Sequence, residues 1–234
     1  MTAKFDPRLV AIARERAFWL GGAQWSGKTT VAQLLAVRYG LIHYAYDYHD
    51  ARSHAERSLK EPERFPNRAA LLKRLETNAD SVWVDPTPKE MAAEALKSFE
   101  ERFVMVLEDL ASLPGTSPVI AEGWGLRPEF VATVIDDPRR AVFLVPSKEF
   151  RERQIANLPR AGQFNTPGVS NIALAQANRL ERDHLLAIDL VESAERHGLR
   201  VIEVDGSLNA ERIATIVAGH FGPLLPEWLY RPLI

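Results

Sequence analysis

The chain of 234 residues has no cysteine. Disulfides, thiolate metal sites and cysteine nucleophiles are therefore excluded. Long apolar runs are also missing, and no segment approaches the roughly 20 residues of a membrane span. The apolar stretch Val10 to Leu20 is broken by Arg14, Glu15 and Arg16, so no signal-peptide core is visible. Charge of one sign is scarce: 29 basic residues stand against 31 acidic ones, for a net charge of −2. That balance argues against an extended nucleic-acid surface, although a local basic patch fits within it. There are no repeats and no low-complexity segments. These absences lead us to expect a soluble cytoplasmic protein without membrane contact.

What is present begins with apolar content. At 46 % it is enough for a substantial core. The length suits one α/β domain over 1–234 with a small inserted lid. The most informative stretch is Gly22-Ala23-Gln24-Trp25-Ser26-Gly27-Lys28-Thr29. It fits G-x-x-x-x-G-K-[ST], the phosphate-binding P-loop. Its glycines let backbone N–H groups curl around a diphosphate. Lys28 would reach the β- and γ-phosphates of ATP, and the Thr29 hydroxyl would hold Mg²⁺. A match at the four fixed positions arises by chance in roughly one chain of this length per hundred. Context sharpens it: Ala17 to Leu20 reads as a short apolar strand, and Thr30 to Tyr39 as a helix ending at Gly40. A helix start there adds its N–H groups and dipole to anion binding.

Along the chain, residues 1–16 read as a helical lead-in. Strand 1 is expected at about 17–21, helix 1 at about 28–39, and strand 2 over Leu41–Tyr46, delivering Asp47 at its end. Residues 50–79, broken by Pro62 and Pro66, read as short helices that close over an acceptor. A long helix is expected at about 89–112, with Met91, Ala95, Phe99, Val106 and Leu110 on its apolar side. Strands follow at 119–121 and 141–145, the second closed by Pro146 and a helix cap at Ser147. Residues 157–171 carry Gly162 and Gly168 among prolines and asparagines, which suits a lid. A long helix over 172–197, a strand over 199–204 and a final helix to about 220 complete the pattern. The tail 223–234 is apolar and either packs on the core or forms a dimer interface, leaving monomer and homodimer open. Strands alternating with helices predict a parallel sheet covered on both faces, a three-layer α/β fold with its site at the strands' C-terminal ends.

Three carboxylates sit at those ends. Asp47 is the candidate general base or Mg²⁺-linked carboxylate, the alternative being a turn aspartate. Asp50 reads as the N-cap of the next helix. Glu122 stands where an acid can orient Mg²⁺ through water. Gly123 and Gly125 would admit a ligand close to the backbone, with Trp124 between them. Arg127 is a candidate for an anionic acceptor group, with salt bridges to Glu129 or Asp136 as the alternative. The turn Asp205-Gly206-Ser207 would meet the nucleotide base by backbone or serve as a plain turn. Arg151, Arg153, Arg160, Arg179 and Arg182 are candidates for the cation that neutralises a transferring phosphoryl group. His43, His49 and His54 have no metal-ligand spacing and read as solvated.

In that order, P-loop, Asp after strand 2, E-G-W-G-L after strand 3 and V-D-G-S after strand 5, the chain resembles the small P-loop kinases. That group includes shikimate kinase, gluconate kinase, nucleoside monophosphate kinases and chloramphenicol phosphotransferase. The resemblance covers about residues 17–221. It implies a five-stranded P-loop fold and an ATP- and Mg²⁺-dependent transfer to a hydroxyl of a small molecule. Thr30 would join the nucleotide site as the residue after the motif. Asp47 would be the base or Mg²⁺ partner, and Gly123 and Gly125 the glycines that approach the acceptor. The chain departs from the D-x-D pair of shikimate kinase, since Asp47 and Asp50 are three apart. A nucleotide or nucleoside kinase, and a nucleotide-binding regulatory module with little turnover, remain as alternatives. Trp25, Tyr44, Tyr46, Tyr48, Trp83 and Trp124 hint at an apolar or ring-shaped acceptor.

Overall fold

The computed structural model describes residues 5–158, 164 and 166–227. Five parallel strands form one sheet: β1 (Ala17–Gly22), β2 (Ile42–Ala45), β3 (Val119–Glu122), β4 (Ala141–Pro146) and β5 (Arg200–Val204), in the order β2-β3-β1-β4-β5. The register aligns Leu20 with both Glu122 and Val142, so β1 ends between β3 and β4. All six residues of β1 are buried. This is the near-continuous apolar run of a strand covered on both faces.

Alternation along β1 divides its side chains between two cores. Trp19 points into one, with Phe99, Phe103, Phe143 and Leu190. That core is covered by α1 (Pro7–Arg16), α7 (Pro88–Ser112) and α10 (Ile172–Arg196). Phe18 and Leu20 point into the other, with Val31, Leu35, Val142, Val217 and Phe221. It lies under α2 (Lys28–Tyr39) and α11 (Ala210–Phe221).

Local chemistry sets the boundaries. α7 opens on a capping box in which Thr87 and Glu90 satisfy each other's backbone N–H, with Pro88 at the first helical position. Arg16 reaches from the end of α1 to the carbonyls of Leu110, Leu113, Pro114 and Ser117, closing the far end of α7. The expected helices of 50–79 are α4 (Ser53–Lys60) and α5 (Pro66–Thr77), followed by a single turn, α6 (Asp80–Trp83).

One boundary matters for the site. Strand β2 ends at Ala45, and Tyr46 and Asp47 open a short helix, α3 (Tyr46–Asp50). Asp47 therefore sits in a helix's first turn rather than at a strand's last residue. The single turn α8 (Pro128–Val131) precedes β4, and α9 (Lys148–Asn157) follows it, capped by Ser147. Arg160, Gly162 and the tail from 228 lie outside the described residues. Leu224 and Leu225 pack on the second core.

Candidate active site

The P-loop joins β1 to α2. Gly22 lies at φ 134°, and Ala23 N donates to Leu144 O at 2.9 Å, pressing the loop against β4. Gly27 caps α2 in the left-handed region, at φ 81°, where only glycine sits without strain. Lys28 is buried and its Nζ donates to Ala23 O at 2.6 Å, beside Ser26 Oγ at 2.9 Å from the same oxygen. Burial holds the Lys28 ammonium below its usual range, while Asp47, Glu122 and Asp183 act against the shift.

The parallel register brings the ends of β1 and β3 together. Thr29 Oγ1 donates to Glu122 Oε2 at 3.2 Å, and His43 Nε2 lies 3.5 Å from Glu122 Oε1. A hydroxyl and a carboxylate are hard oxygen donors. They fit Mg²⁺ that arrives on nucleotide phosphates and keeps part of its water shell. Among the described residues no three His, Asp or Glu side chains converge on a site made by protein alone. Asp47 faces the same cleft, and its Oδ1 accepts from Trp124 N at 3.3 Å. The packed atoms around the cleft floor push its carboxyl up to about 6, with Lys28 opposing and Glu122 adding. Solvent reaches Asp47 through the cleft mouth, which softens both effects.

The cleft itself measures about 430 Å³. The P-loop and Asp47 form one wall; Phe150 and Gln154 of α9, with Leu158 just past its end, form the other. A second cavity, of about 370 Å³, is bordered by Asp50 at the end of α3. Leu71, Leu72 and Leu75 of α5, Met91 and Ala95 of α7, and Trp83 and Trp124 line its apolar part. Asp50, Arg68, Glu94, Arg102 and Arg182 line the rest. Asp47 and Asp50, three residues apart on α3, thus line different spaces.

Several expectations change here. Asp50 does not cap α4; it accepts from Arg68 Nη2 at 3.2 Å and Arg102 Nη1 at 3.4 Å. Gly123 and Gly125 face no open ligand space. A Cβ on Gly123 would lie 2.6 Å from Tyr46 Cβ, and one on Gly125 would clash with the Tyr46 Cζ and hydroxyl. The two glycines admit Tyr46, and so seat α3. Arg127 is buried away from the cleft. It pairs with Glu129 at 3.1 Å and with Asp189, and donates to Leu186 O at 3.1 Å, fastening α8 to α10. The Asp205–Gly206 turn lies behind α9. Asp205 accepts from Ser207 N and Oγ, Arg153 Nη2 donates to Asp205 O at 2.6 Å, and Phe150 fills the space over Gly206. Arg182 lines the second cavity rather than the cleft. It pairs with Asp183 at 2.6 Å, and its guanidinium lies 5.0 Å from the Trp83 ring and 5.5 Å from that of Trp124. Arg179 lies 5.8 Å from the Phe164 ring, which packs edge-on against Trp83.

The chain matches no protein-family model and no curated protein. A solved structure of a candidate kinase from Chloroflexus aurantiacus J-10-fl is similar at 14 % identity and a TM-score of 0.39. The alignment covers 88 % of this chain and 98 % of that one. A likeness that low carries no argument about activity, and the functional reading rests on the site.

No motif in the sequence marks the second cleft wall, Phe150, Gln154 and Leu158. Nor does one mark Asp183 or the Arg68–Asp50–Arg102 cluster. One signal was available: Arg102 interrupts the apolar side of a helix between Phe99 and Val106, where a lone arginine needs a buried partner.

Proposed function

We propose that the protein transfers the γ-phosphoryl group of ATP to a hydroxyl of a small molecule. The carrying observation is convergence: Lys28, the Thr29–Glu122 pair and Asp47 meet in one cleft. The backbone N–H groups of 23–30 and the start of α2 would cradle the β- and γ-phosphates. Lys28 would leave Ala23 O for a phosphate oxygen, exchanging a neutral partner for an anionic one. Thr29 would hold Mg²⁺ directly and Glu122 through water. Bound there, the metal neutralises charge on the β- and γ-phosphates.

Asp47 would hold the acceptor hydroxyl in line with the γ-phosphorus. The hydroxyl oxygen bonds to phosphorus as the bond to the β,γ-bridging oxygen breaks; the electron pair leaves with ADP and the proton goes to Asp47. Phe150 and Leu158 give the cleft an apolar wall suited to a base. Arg179, on α10, is the described candidate for transition-state charge, since Arg182 pairs with Asp183 and lines the second cavity.

The test is ADP release from Mg·ATP across a panel of hydroxylated acceptors. Stimulation at least tenfold over the acceptor-free rate supports the reading. Tight ATP binding with no stimulation by any acceptor would favour a regulatory module.

A further inference from the structure

The leucine side of α5 belongs to neither core. Leu71, Leu72 and Leu75 lie on one stripe of the helix, yet they are only half-buried and stand apart from the residues that cover the two faces of the sheet. The reason is how α5 is held over α7. At its start, Asn67 N and Arg68 N both donate to Glu101, each at 2.9 Å. Further along, Arg74 pairs with Glu94 at 2.6 Å. Between these two clamps α7 presents Ala95, and the small side chain leaves room beneath the leucines for the second cavity. Its volume of about 370 Å³ falls among small-molecule pockets, which run from roughly 300 to 1,000 Å³.

The charges around this cavity are already matched. Asp50 and Glu101 stand against Arg68 and Arg102. Glu94 has Arg74, and Arg182 has Asp183. The indoles are engaged as well: the Arg182 guanidinium lies 5.0 Å from the Trp83 ring and 5.5 Å from the Trp124 ring. An entering anion would shed its water and find no free counter-charge, and an entering cation would compete with Arg182 for both indoles. We infer that the second cavity is a binding site for an uncharged molecule with an apolar body of about one or two rings. Its lining and that of the P-loop cleft share no residue, so the site stands without the kinase reading. Trp124 links the two spaces, since it borders the cavity and its N–H donates to Asp47 Oδ1 at 3.3 Å.

The test uses three matched probes with the same ring: naphthylethanol, naphthylacetate and naphthylethylammonium. Each is titrated calorimetrically into the nucleotide-free full chain, with an ATP titration run in parallel. Wild type should bind the alcohol about tenfold or more tighter than either ion, because only the ions give up charge hydration without compensation. Leu72→Trp fills the cavity from α5, and Ala55→Leu fills it from α4. Each should weaken the alcohol about tenfold or more and leave ATP affinity unchanged. Melting curves show that both variants are folded.

The inference is overturned by no saturable binding of the alcohol, by either ion binding as tightly as the alcohol, or by an alcohol affinity unchanged in both folded variants. ATP binding with any of these outcomes leaves the kinase reading standing. Selective alcohol binding without ATP binding would remove that reading and keep the site. Adding Mg·ATP to the alcohol complex separates two sources of such a ligand. A probe that gains a phosphate is an acceptor, and one that stays unmodified is a ligand outside the reaction; both results keep the site.

Discussion

If Asp47 is the base, activity should fall on acidification much earlier than an ordinary aspartate allows. The structure pushes its carboxyl up to about 6 from 3.8, chiefly because packed atoms around the cleft floor disfavour the charged form. A base must be unprotonated, so activity is full above that value and is lost as pH falls through it. At pH 5 the unprotonated fraction is about 10 % for a group titrating near 6, against about 95 % for one near 3.8. The assay is kcat/KM for the acceptor at saturating Mg·ATP from pH 5 to 9, in wild type and Asp47→Asn. Titration of the phosphates adds a limb of its own, shared by both proteins, so the difference between the profiles is decisive. Asp47→Asn should lower the plateau by roughly 10²–10⁴ and flatten the acid limb that wild type adds. Since a raised pKa means that the fold disfavours the charged carboxylate, the variant should melt no lower than wild type at pH 8. An acid limb unchanged in Asp47→Asn, or wild-type activity level down to pH 5, would refute the assignment.

Three further outcomes follow from the geometry. Thr29→Val removes the hydroxyl that meets Glu122 at 3.2 Å, so Mg·ATP should weaken more than metal-free ATP in paired titrations; equal losses would mean a packing effect only. Arg127→Met removes a buried guanidinium from half-exposed Glu129 and Asp189 and should cost about 1–3 kcal/mol in denaturant unfolding, with ATP affinity unchanged; a selective loss of acceptor binding would return it to the acceptor site. Gly125→Ala drives a methyl into the Tyr46 ring and should cost about 1–3 kcal/mol while displacing α3, so turnover should fall along with melting temperature; a larger side chain tolerated at 125 would show that Tyr46 does not seat this turn.

The strands and the P-loop were legible because their signals are local. Buried parallel strands are apolar runs, and a glycine-rich turn between a strand and a helix leaves few alternatives. Tyr46 shows where locality ends. It extends the β-like run Leu41 to Ala45, yet it opens α3 because Gly123 and Gly125 leave a slot for its ring. From the sequence, those glycines announce close approach by something. Only tertiary contact says that it is Tyr46 and not a ligand. Arg127 shows the same limit: its two ion pairs join residues 2 and 62 positions away, and the nearer was foreseen while the farther was not. The second cavity was least legible, since its charge balance depends on α3, α5 and α7 meeting at Asp50.

If Gly22 to Thr29 binds the phosphates of ATP, Lys28 carries a large share of that affinity. Its Nζ now rests on Ala23 O at 2.6 Å, so removing it disturbs one hydrogen bond to a neutral carbonyl in the free protein and one to an anionic phosphate in the complex. Calorimetric titration of Mg·ATP into wild type and Lys28→Ala should show saturable binding in the first and a loss of about tenfold to a hundredfold in the second, with melting temperature nearly unchanged. Equal affinity in the two proteins, or no saturable binding of Mg·ATP by wild type, would contradict the account.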